Sequence, residues 1–242
     1  MNNDSLLFPS PLIPPSRPEI IQSLIDGVDR YNPDNVSILE EYLAVQLQNE
    51  EYDLMANLAI LKLYQFNPHL VNEIVINNIL VKALTAIPNP DFNLCLYLLQ
   101  EGALNDENVL KLITLQQLLE QARYQEFWDT FEKDEAYREI ASEAIGFENA
   151  IRKVILTAIC MTYHSISADL LRSYLNFTND DDEFESFIQS RELIIKDNVV
   201  TIPTNYDNEA KPTVIRENIK FEQLKEKEPK IKVVKVVAIN KI

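Results

Sequence analysis

Glycine is scarce in this chain, which contains only three glycines among 242 residues. Tight β-turns and phosphate-binding loops depend on glycine, because it reaches left-handed backbone conformations without steric cost. A fold built on such turns would need more than Gly27, Gly102 and Gly146. The many Leu, Ile, Glu and Gln residues favour helices instead. The chain is therefore predicted to be mainly α-helical.

Three Asn-Pro pairs, Asn32–Pro33, Asn67–Pro68 and Asn89–Pro90, are predicted to mark helix starts. The asparagine side chain accepts hydrogen bonds from the free amides of a first turn, where the missing N–H of proline is no loss. Together with apolar residues at spacings of three and four, these pairs predict nine helices. Their ranges are 18–28, 34–48, 51–66, 69–86, 91–101, 105–121, 123–134, 136–144 and 147–164.

The segment YDLMANLAILKLYQFNP, residues 52–68, is apolar on nearly every side of its predicted helix. Leu54, Leu58 and Leu61 fall between the polar positions when the segment is projected down the helix axis. Such a helix must be covered from several sides, as the central helices of a stacked array are. Because the connections are short, neighbouring helices are expected to pack antiparallel. Residues 18–146 are therefore predicted to form a helical-repeat (HEAT-like) array.

The pattern changes after residue 164, where two shorter helices are predicted. SADLLRSYLNF has Ser167 as its cap, and TNDDDEFESFIQSR is capped near Thr178. ELIIKDNVVTIP then predicts a small β-hairpin that turns at Lys196–Asp197–Asn198. Three helices followed by a hairpin is the element order of a winged helix. Residues 147–203 are therefore predicted to form a winged-helix-like domain.

Both ends of the chain differ from this body. Residues 1–17 contain several prolines and are predicted to be disordered. Residues 204–242 are predicted to form a linker, an amphipathic C-terminal helix and a basic tail. The tail, KIKVVKVVAINKI, is interpreted as a loose end, a docking strand or an RNA-contacting segment.

The predicted C-terminal helix, residues 213–228, carries the main candidates for partner binding. An amphipathic helix that follows a linker must bury its apolar stripe somewhere. We therefore expect a partner protein to cover it, unless it folds back on the chain's own winged-helix-like domain. The candidate partner-binding residues on this helix are Ile215, Ile219, Phe221 and Leu224.

The formal net charge of −16 is concentrated in the folded body. Residues 18–160 hold 23 acids and 9 bases, whereas residues 204–242 hold 6 acids and 9 bases. An acidic body repels a phosphate backbone. The helix that would enter a major groove begins with Asp180, Asp181, Asp182 and Glu183. No direct sequence-specific contact with nucleic acid is therefore expected.

The apolar side of that acidic helix carries Phe184, Phe187 and Ile188. We expect this side to lie mainly in the core. Phe184 and Phe187 are kept as candidate partner contacts.

No pattern of residues indicates catalysis. His69 and His164 have no carboxylate or cysteine at ligand spacing, and no phosphate loop, nucleophile elbow or zinc-protease motif occurs. Cys95 and Cys160 are expected to be buried in a reducing compartment, and Trp128 to lie in the core. No signal peptide or 18-residue apolar run is present. We expect a cytoplasmic, non-enzymatic protein with no cofactor, no metal and no membrane contact.

Several segments resemble the k subunit of eukaryotic translation initiation factor 3, a PCI-type scaffold family related to small proteasome-lid and signalosome subunits. The resemblance runs from about Ile25 to Pro203 and is carried by GVDRYNPDNVSILEEYL, YDLMANLAILKLYQFNP, VKALTAIPNPDFNLCLYLL, FWDTF and GFENAIRKVI. It implies a helical-repeat domain, a winged-helix-like domain and no catalytic activity. It also implies other subunits of initiation factor 3 as partners, especially the l subunit, and indirect contact with the small ribosomal subunit.

The favoured hypothesis is a non-enzymatic scaffold subunit that contributes to assembly of the preinitiation complex on the small ribosomal subunit. One alternative is a related scaffold subunit of a proteasome-lid or signalosome type complex. Another is a winged-helix nucleic-acid-binding regulator that uses its wing and basic tail. The step from fold to translation depends on the resemblance, because one fold supports many functions.

Overall fold

A computed structural model of the chain describes residues 13–177 and 181–209. This part is mainly helical, as predicted, with one small antiparallel sheet. The helices are α1 (Glu19–Asp26), α2 (Val36–Gln48), α3 (Leu54–Phe66), α4 (Glu73–Leu84), α5 (Asp91–Leu96), α6 (Glu101–Leu104), α7 (Glu107–Glu120), α8 (Tyr124–Lys133), α9 (Glu135–Ala141), α10 (Phe147–Thr162), α11 (Ala168–Leu175) and α12 (Asp181–Gln189). The strands are β1 (Ser165–Ser167), β2 (Ile194–Lys196) and β3 (Val199–Thr201).

Helix α3 is covered by four neighbours, since it contacts α1, α2, α4 and α5. Leu61 is buried, and Leu54 and Leu58 are half-buried against the hydrophobic core. The prediction that this apolar segment is enclosed on several sides is confirmed. Contacts between successive helices continue along the chain, from α4 with α5 and α7 to α7 with α8 and α8 with α9.

The Asn-Pro pairs interrupt the helices, but only the first caps as predicted. The Asn32 side chain accepts a hydrogen bond of 3.0 Å from the amide of Asp34, in the 3-10 helix Pro33–Asn35. Asn67 instead donates from Nδ2 to the Leu63 carbonyl at 2.9 Å, which closes the end of α3. Helix α4 is capped by Asn72, whose side chain accepts from the amide of Ile74 at 3.1 Å.

At the third pair the cap position is Pro90, and no side-chain hydrogen bond forms there. The predicted caps at Asn67 and Asn89 were therefore wrong. Proline disfavours a helical conformation at the residue before it. The helices are therefore interrupted at all three Asn-Pro pairs, including the two where the asparagine does not cap. The predicted helix 91–101 was also wrong, since α5 and α6 are separate short helices.

The sheet has the strand order β1–β3–β2, and both neighbouring pairs are antiparallel. The predicted hairpin is confirmed, with Ile195 of β2 opposite Val200 of β3. Its turn places Asp197 at φ 51° and Asn198 at φ 61°, the two positive values that a type I′ hairpin turn requires. Strand β1 (Ser165–Ser167) was not predicted, because Ser167 was interpreted only as the cap of the next helix. It forms because Ile166 pairs with Val200.

Residues 13–177 and 181–209 belong to one compact unit, which ends at Glu209. The division into residues 18–146 and 147–203 stays a prediction. Within the predicted segment 1–17, residues 13–17 are described, and Arg17 contacts Asp53 of the helical body. The proposed cap at Thr178, the first twelve residues and the predicted helix 213–228 lie outside the described ranges.

Candidate interaction surfaces

A buried ion pair joins Arg17 to the start of α3. Arg17 donates from Nε and Nη2 to the two carboxylate oxygens of Asp53, at 2.5 and 2.6 Å, and both side chains are almost fully buried. Asp53 also caps α3, since it accepts from the amide of Ala56 at 3.1 Å. The Tyr42 hydroxyl donates to it at 3.3 Å, and burial together with this carboxylate raises the pKa of Tyr42 to about 12. The carboxylate is thus fully engaged in the fold.

A second buried polar group links α2, α3 and α4. Gln46 and Asn57 exchange side-chain hydrogen bonds of 3.0 and 3.3 Å, and Lys82 donates from Nζ to the Gln46 carbonyl at 3.2 Å. Burial lowers the pKa of Lys82 to about 8, against the opposing effect of Glu50 and Glu51. A lysine with a lowered pKa can serve as a base. Lys82 is only 4% exposed, so a substrate has no access to it and its role here is structural.

An aromatic junction joins α8, α10 and α11. Trp128 is buried, as predicted, and donates from Nε1 to the Tyr174 carbonyl at 2.9 Å. The Arg152 guanidinium lies 5.6 Å from the Trp128 ring centroid and 4.6 Å from that of Phe177. Arg152 also donates to the Leu175 carbonyl at 3.0 Å. A single cation therefore holds three elements together.

The predicted partner contacts on α12 lie partly in the core. Phe184 is fully buried against Phe177, with ring centroids 5.7 Å apart and the Arg172 guanidinium 4.8 Å from its own ring centroid. Phe187 is half-buried and also packs on Phe177, at 5.5 Å. Their role in binding a partner stays a prediction. The other four candidates, Ile215, Ile219, Phe221 and Leu224, lie outside the described residues.

The outer face of α12 is acidic. Asp182, Glu183 and Glu185 are exposed on it, while Ile188 is buried beneath. A duplex carries one negative charge about every 1.7 Å of its axis, so this face would approach it against repulsion. The acidic outer face therefore disfavours insertion of α12 into the major groove of DNA.

The cysteines and histidines show no arrangement for catalysis in the described part of the chain. Cys95 and Cys160 are free and buried, as predicted, and burial raises their pKa values to about 12 and about 11. Thiols of that kind are poor nucleophiles near neutral pH. His69 and His164 are exposed. Within residues 13–177 and 181–209 no cluster of three or more His, Cys, Asp or Glu could hold a metal, and no helix could span a membrane.

An exposed aromatic pair lies where the chain leaves α3. The rings of Tyr31 and Phe66 meet edge to face, with centroids 6.1 Å apart, and both residues are more than half exposed. Arg30 lies 5.1 Å above the first ring and Lys62 lies 4.9 Å above the second. Aromatic residues and arginine are enriched at protein interfaces. We call these four residues the Tyr31–Phe66 patch.

Sequence reasoning did not select this patch, although its signal is visible in the sequence. Tyr31 and Phe66 each stand directly before an Asn-Pro pair. Both belong to the segments that carry the family resemblance.

Comparison with known proteins covers most of the chain. The profile of the CSN8/PSMD8/EIF3K family matches residues 70–214. A protein of Botryotinia fuckeliana called eukaryotic translation initiation factor 3 subunit K is 40% identical over 226 residues, covering 86% of this chain and 91% of the relative. Proteins of the same name from Sclerotinia sclerotiorum and Mycosarcoma maydis are 41% and 40% identical, covering 86% and 87% of this chain and 91% and 90% of their own lengths.

Proposed function

Because the chain belongs to the CSN8/PSMD8/EIF3K family, we propose that it is a non-enzymatic scaffold subunit of the eukaryotic translation initiation factor 3 complex. The observation that carries the proposal is the identity of about 40% with subunit K proteins over most of both chains. The name of the family also includes CSN8 and PSMD8, and the subunit K matches favour initiation factor 3 over the related scaffold complexes. The buried polar groups described above serve the fold, which supports a role without catalysis.

The element order supports the two-part, PCI-type architecture of this proposal. Helix α10 is followed by β1, α11, α12 and the β2–β3 hairpin, in the strand order β1–β3–β2. A small sheet of this order next to three helices favours a winged-helix-like domain. The successive helix contacts from α2 to α9 favour a HEAT-like array before it.

The proposed partners are the other subunits of initiation factor 3, especially the l subunit. The Tyr31–Phe66 patch offers one docking surface, and the predicted helix 213–228 offers another. The chain would reach the small ribosomal subunit indirectly, as part of the complex that assembles the preinitiation complex in the cytoplasm. The acidic face of α12 supports contacts with proteins over contacts with nucleic acid.

Affinity purification of the tagged full chain, followed by mass spectrometry, tests this proposal. We expect the subunits of initiation factor 3 to co-purify, with the l subunit among them. Recovery of proteasome-lid or signalosome subunits would identify the chain as a related scaffold instead.

A titration with duplex DNA and structured RNA at two salt concentrations tests the remaining alternative. Tight binding that falls steeply with salt would favour a nucleic-acid-binding regulator over the scaffold. We expect weak binding at both concentrations.

A further inference from the structure

A polar cleft lies between α4, α7 and α9, which all contact one another. Helix α4 contributes Asn77 and Asn78, and α7 contributes Asn108. Glu139 of α9 and Glu143, just beyond the end of this helix, line the opposite side. The cleft is thus rich in side-chain oxygens. The residues that line it include no lysine or arginine.

Asn77, which lines this cleft, has a side-chain oxygen that accepts no hydrogen bond. The side chain is 9% exposed, and its Oδ1 is buried without a hydrogen-bond partner. A buried polar atom in this state has lost its hydrogen bonds to water without gaining a partner, which destabilises the fold. The neighbouring Asn78 is satisfied, because its Nδ2 donates to a carboxylate oxygen of Glu143. Asn77, one of the residues that line the cleft, therefore holds one acceptor that a ligand N–H group would satisfy.

The negative charge around the cleft favours a positively charged hydrogen-bond donor. Glu139 and Glu143 are exposed at its edge, and both are acidic. Lys111, one turn beyond Asn108 on α7, is paired with Glu107 at 2.7 Å. A cation entering the cleft would therefore gain two carboxylate partners.

The rim of the cleft is apolar where an aliphatic stem would lie. Ile74 lines the cleft and is 59% exposed, which is high for an isoleucine. Ile140 is half-buried on the other side. Long basic side chains lay their methylene groups on such surfaces while the charged head makes polar contacts.

We propose that this cleft binds an arginine side chain on an exposed segment of a partner protein. The planar guanidinium has five N–H donors, so it can reach the buried oxygen of Asn77 and the carboxylates of Glu139 and Glu143 together. The lysine ammonium is a point charge with three donors, so it is less suited to contact these three separated acceptors at once. The inference rests on the proposed function, since it names the chemistry of one partner contact within the assembly.

Titration of the purified full chain with N-acetyl-arginine methylamide tests the inference. Nuclear magnetic resonance would follow the side-chain amide signals of Asn77, Asn78 and Asn108. The control probe, N-acetyl-citrulline methylamide, has nearly the same shape without the charge. We expect shifts of these signals with the arginine probe and much smaller shifts with the citrulline probe.

Two double variants complete the test. Glu139→Gln with Glu143→Gln should weaken binding of the arginine probe about tenfold, because hydrogen bonds to charged groups are the stronger ones. Glu41→Gln with Glu120→Gln removes the same charge from exposed positions of α2 and α7, and should leave binding unchanged. Thermal unfolding of both variants would show that they are folded.

Equal shifts with the two probes, no arginine-dependent shift, or retained binding in the Glu139→Gln, Glu143→Gln variant would overturn the inference. This titration needs no partner, so its failure would leave the co-purification result standing. Loss of co-purification would in turn contradict the proposed function without changing the titration.

Discussion

At the scale of single residues, one of the three glycines has a conformational role. Gly146 precedes α10 with φ +72°, in the left-handed region, and a Cβ atom there would collide with the Glu50 side chain. Gly102 lies in α6 with no atom within 4 Å of the place where its Cβ would be. The sequence shows that glycine is scarce, but only the fold shows which glycine is needed.

Gly146→Ala should therefore lower the free energy of unfolding by about 1–2 kcal/mol, because of the left-handed backbone. The half-exposed end of the Glu50 side chain can move away from the new Cβ atom. Gly102→Ala is the matched control, and it should raise stability by up to about 1 kcal/mol, because alanine favours a helix. Urea denaturation followed by circular dichroism measures both. Equal effects of the two substitutions would contradict the assigned role of Gly146.

The buried Lys82 should make stability depend on pH. Its folded pKa of about 8 lies below the ordinary value of 10.5, so the unfolded chain binds more protons between these two values. Lys82 should therefore raise the free energy of unfolding with pH in this window, by at most about 1.4 kcal/mol per unit. Cys95 and Cys160 oppose this near and above their ordinary pKa of 9.0, since burial raises their pKa values to about 12 and about 11 in the folded state. Tyr42 opposes it above about pH 10, because its folded pKa is raised to about 12.

Denaturation of the wild type and of Lys82→Met at about pH 7.5 and about pH 9.5 would isolate the effect of Lys82. Lys82→Met keeps the volume and removes the titrating group, so the wild type should gain about 1–2 kcal/mol relative to the variant over this range. An equal change in both proteins would show that another group is responsible.

At the scale of elements, local patterns predicted most of the helices but not β1. Apolar spacing and proline positions depend on neighbours in sequence, so the cores of α2, α3, α7, α8 and α10 fall inside the predicted ranges. Strand β1 has only three residues and is defined by pairing Ser165 with Thr201, far along the chain. Such long-range pairing leaves no periodic signal in a short strand.

The junction of α8, α10 and α11 offers an element-scale prediction through Arg152. Arg152→Leu removes the contacts with Trp128 and Phe177 and the bond to the Leu175 carbonyl, and should cost about 1–3 kcal/mol. Because Trp128 is the only tryptophan, its fluorescence reports this junction directly. We expect its emission in the native state to change with the substitution.

Lys153→Leu is the matched control for this prediction. Lys153 is adjacent in sequence, and its Nζ lies 3.6 Å from a carboxylate oxygen of Glu50. Both side chains of this ion pair are close to half exposed. Exposed ion pairs contribute little to stability, so Lys153→Leu should change neither the free energy of unfolding nor the Trp128 emission by much. A larger effect at Lys153 than at Arg152 would contradict the assigned junction.

At the scale of the whole molecule, the site was harder to predict than the fold. Tyr31 and Phe66 lie in different segments, and only the packing of α3 brings their rings together. The amphipathic pattern of α12 predicted burial of Phe184 and could not separate that from binding a partner. Exposure is a property of the folded surface, which local sequence patterns constrain only weakly.

Truncation after Glu209 should leave the body folded, because the described residues form one compact unit that ends there. The cut keeps Asn208, which is buried and donates to the Cys160 carbonyl at 3.2 Å. We expect the truncated chain to unfold at the same denaturant concentration as the full chain. It should lose co-purifying subunits, because the predicted helix 213–228, with its apolar residues Ile215 and Phe221, is removed. A large loss of stability would instead favour folding of the predicted helix onto this chain.

The native mass of the assembly purified through a tag on the full chain tests the scaffold role most directly. We expect a discrete complex in which this 27.9 kDa chain is bound together with subunits of translation initiation factor 3. A chain that is recovered only at its own mass, or only with subunits of another complex, would contradict it.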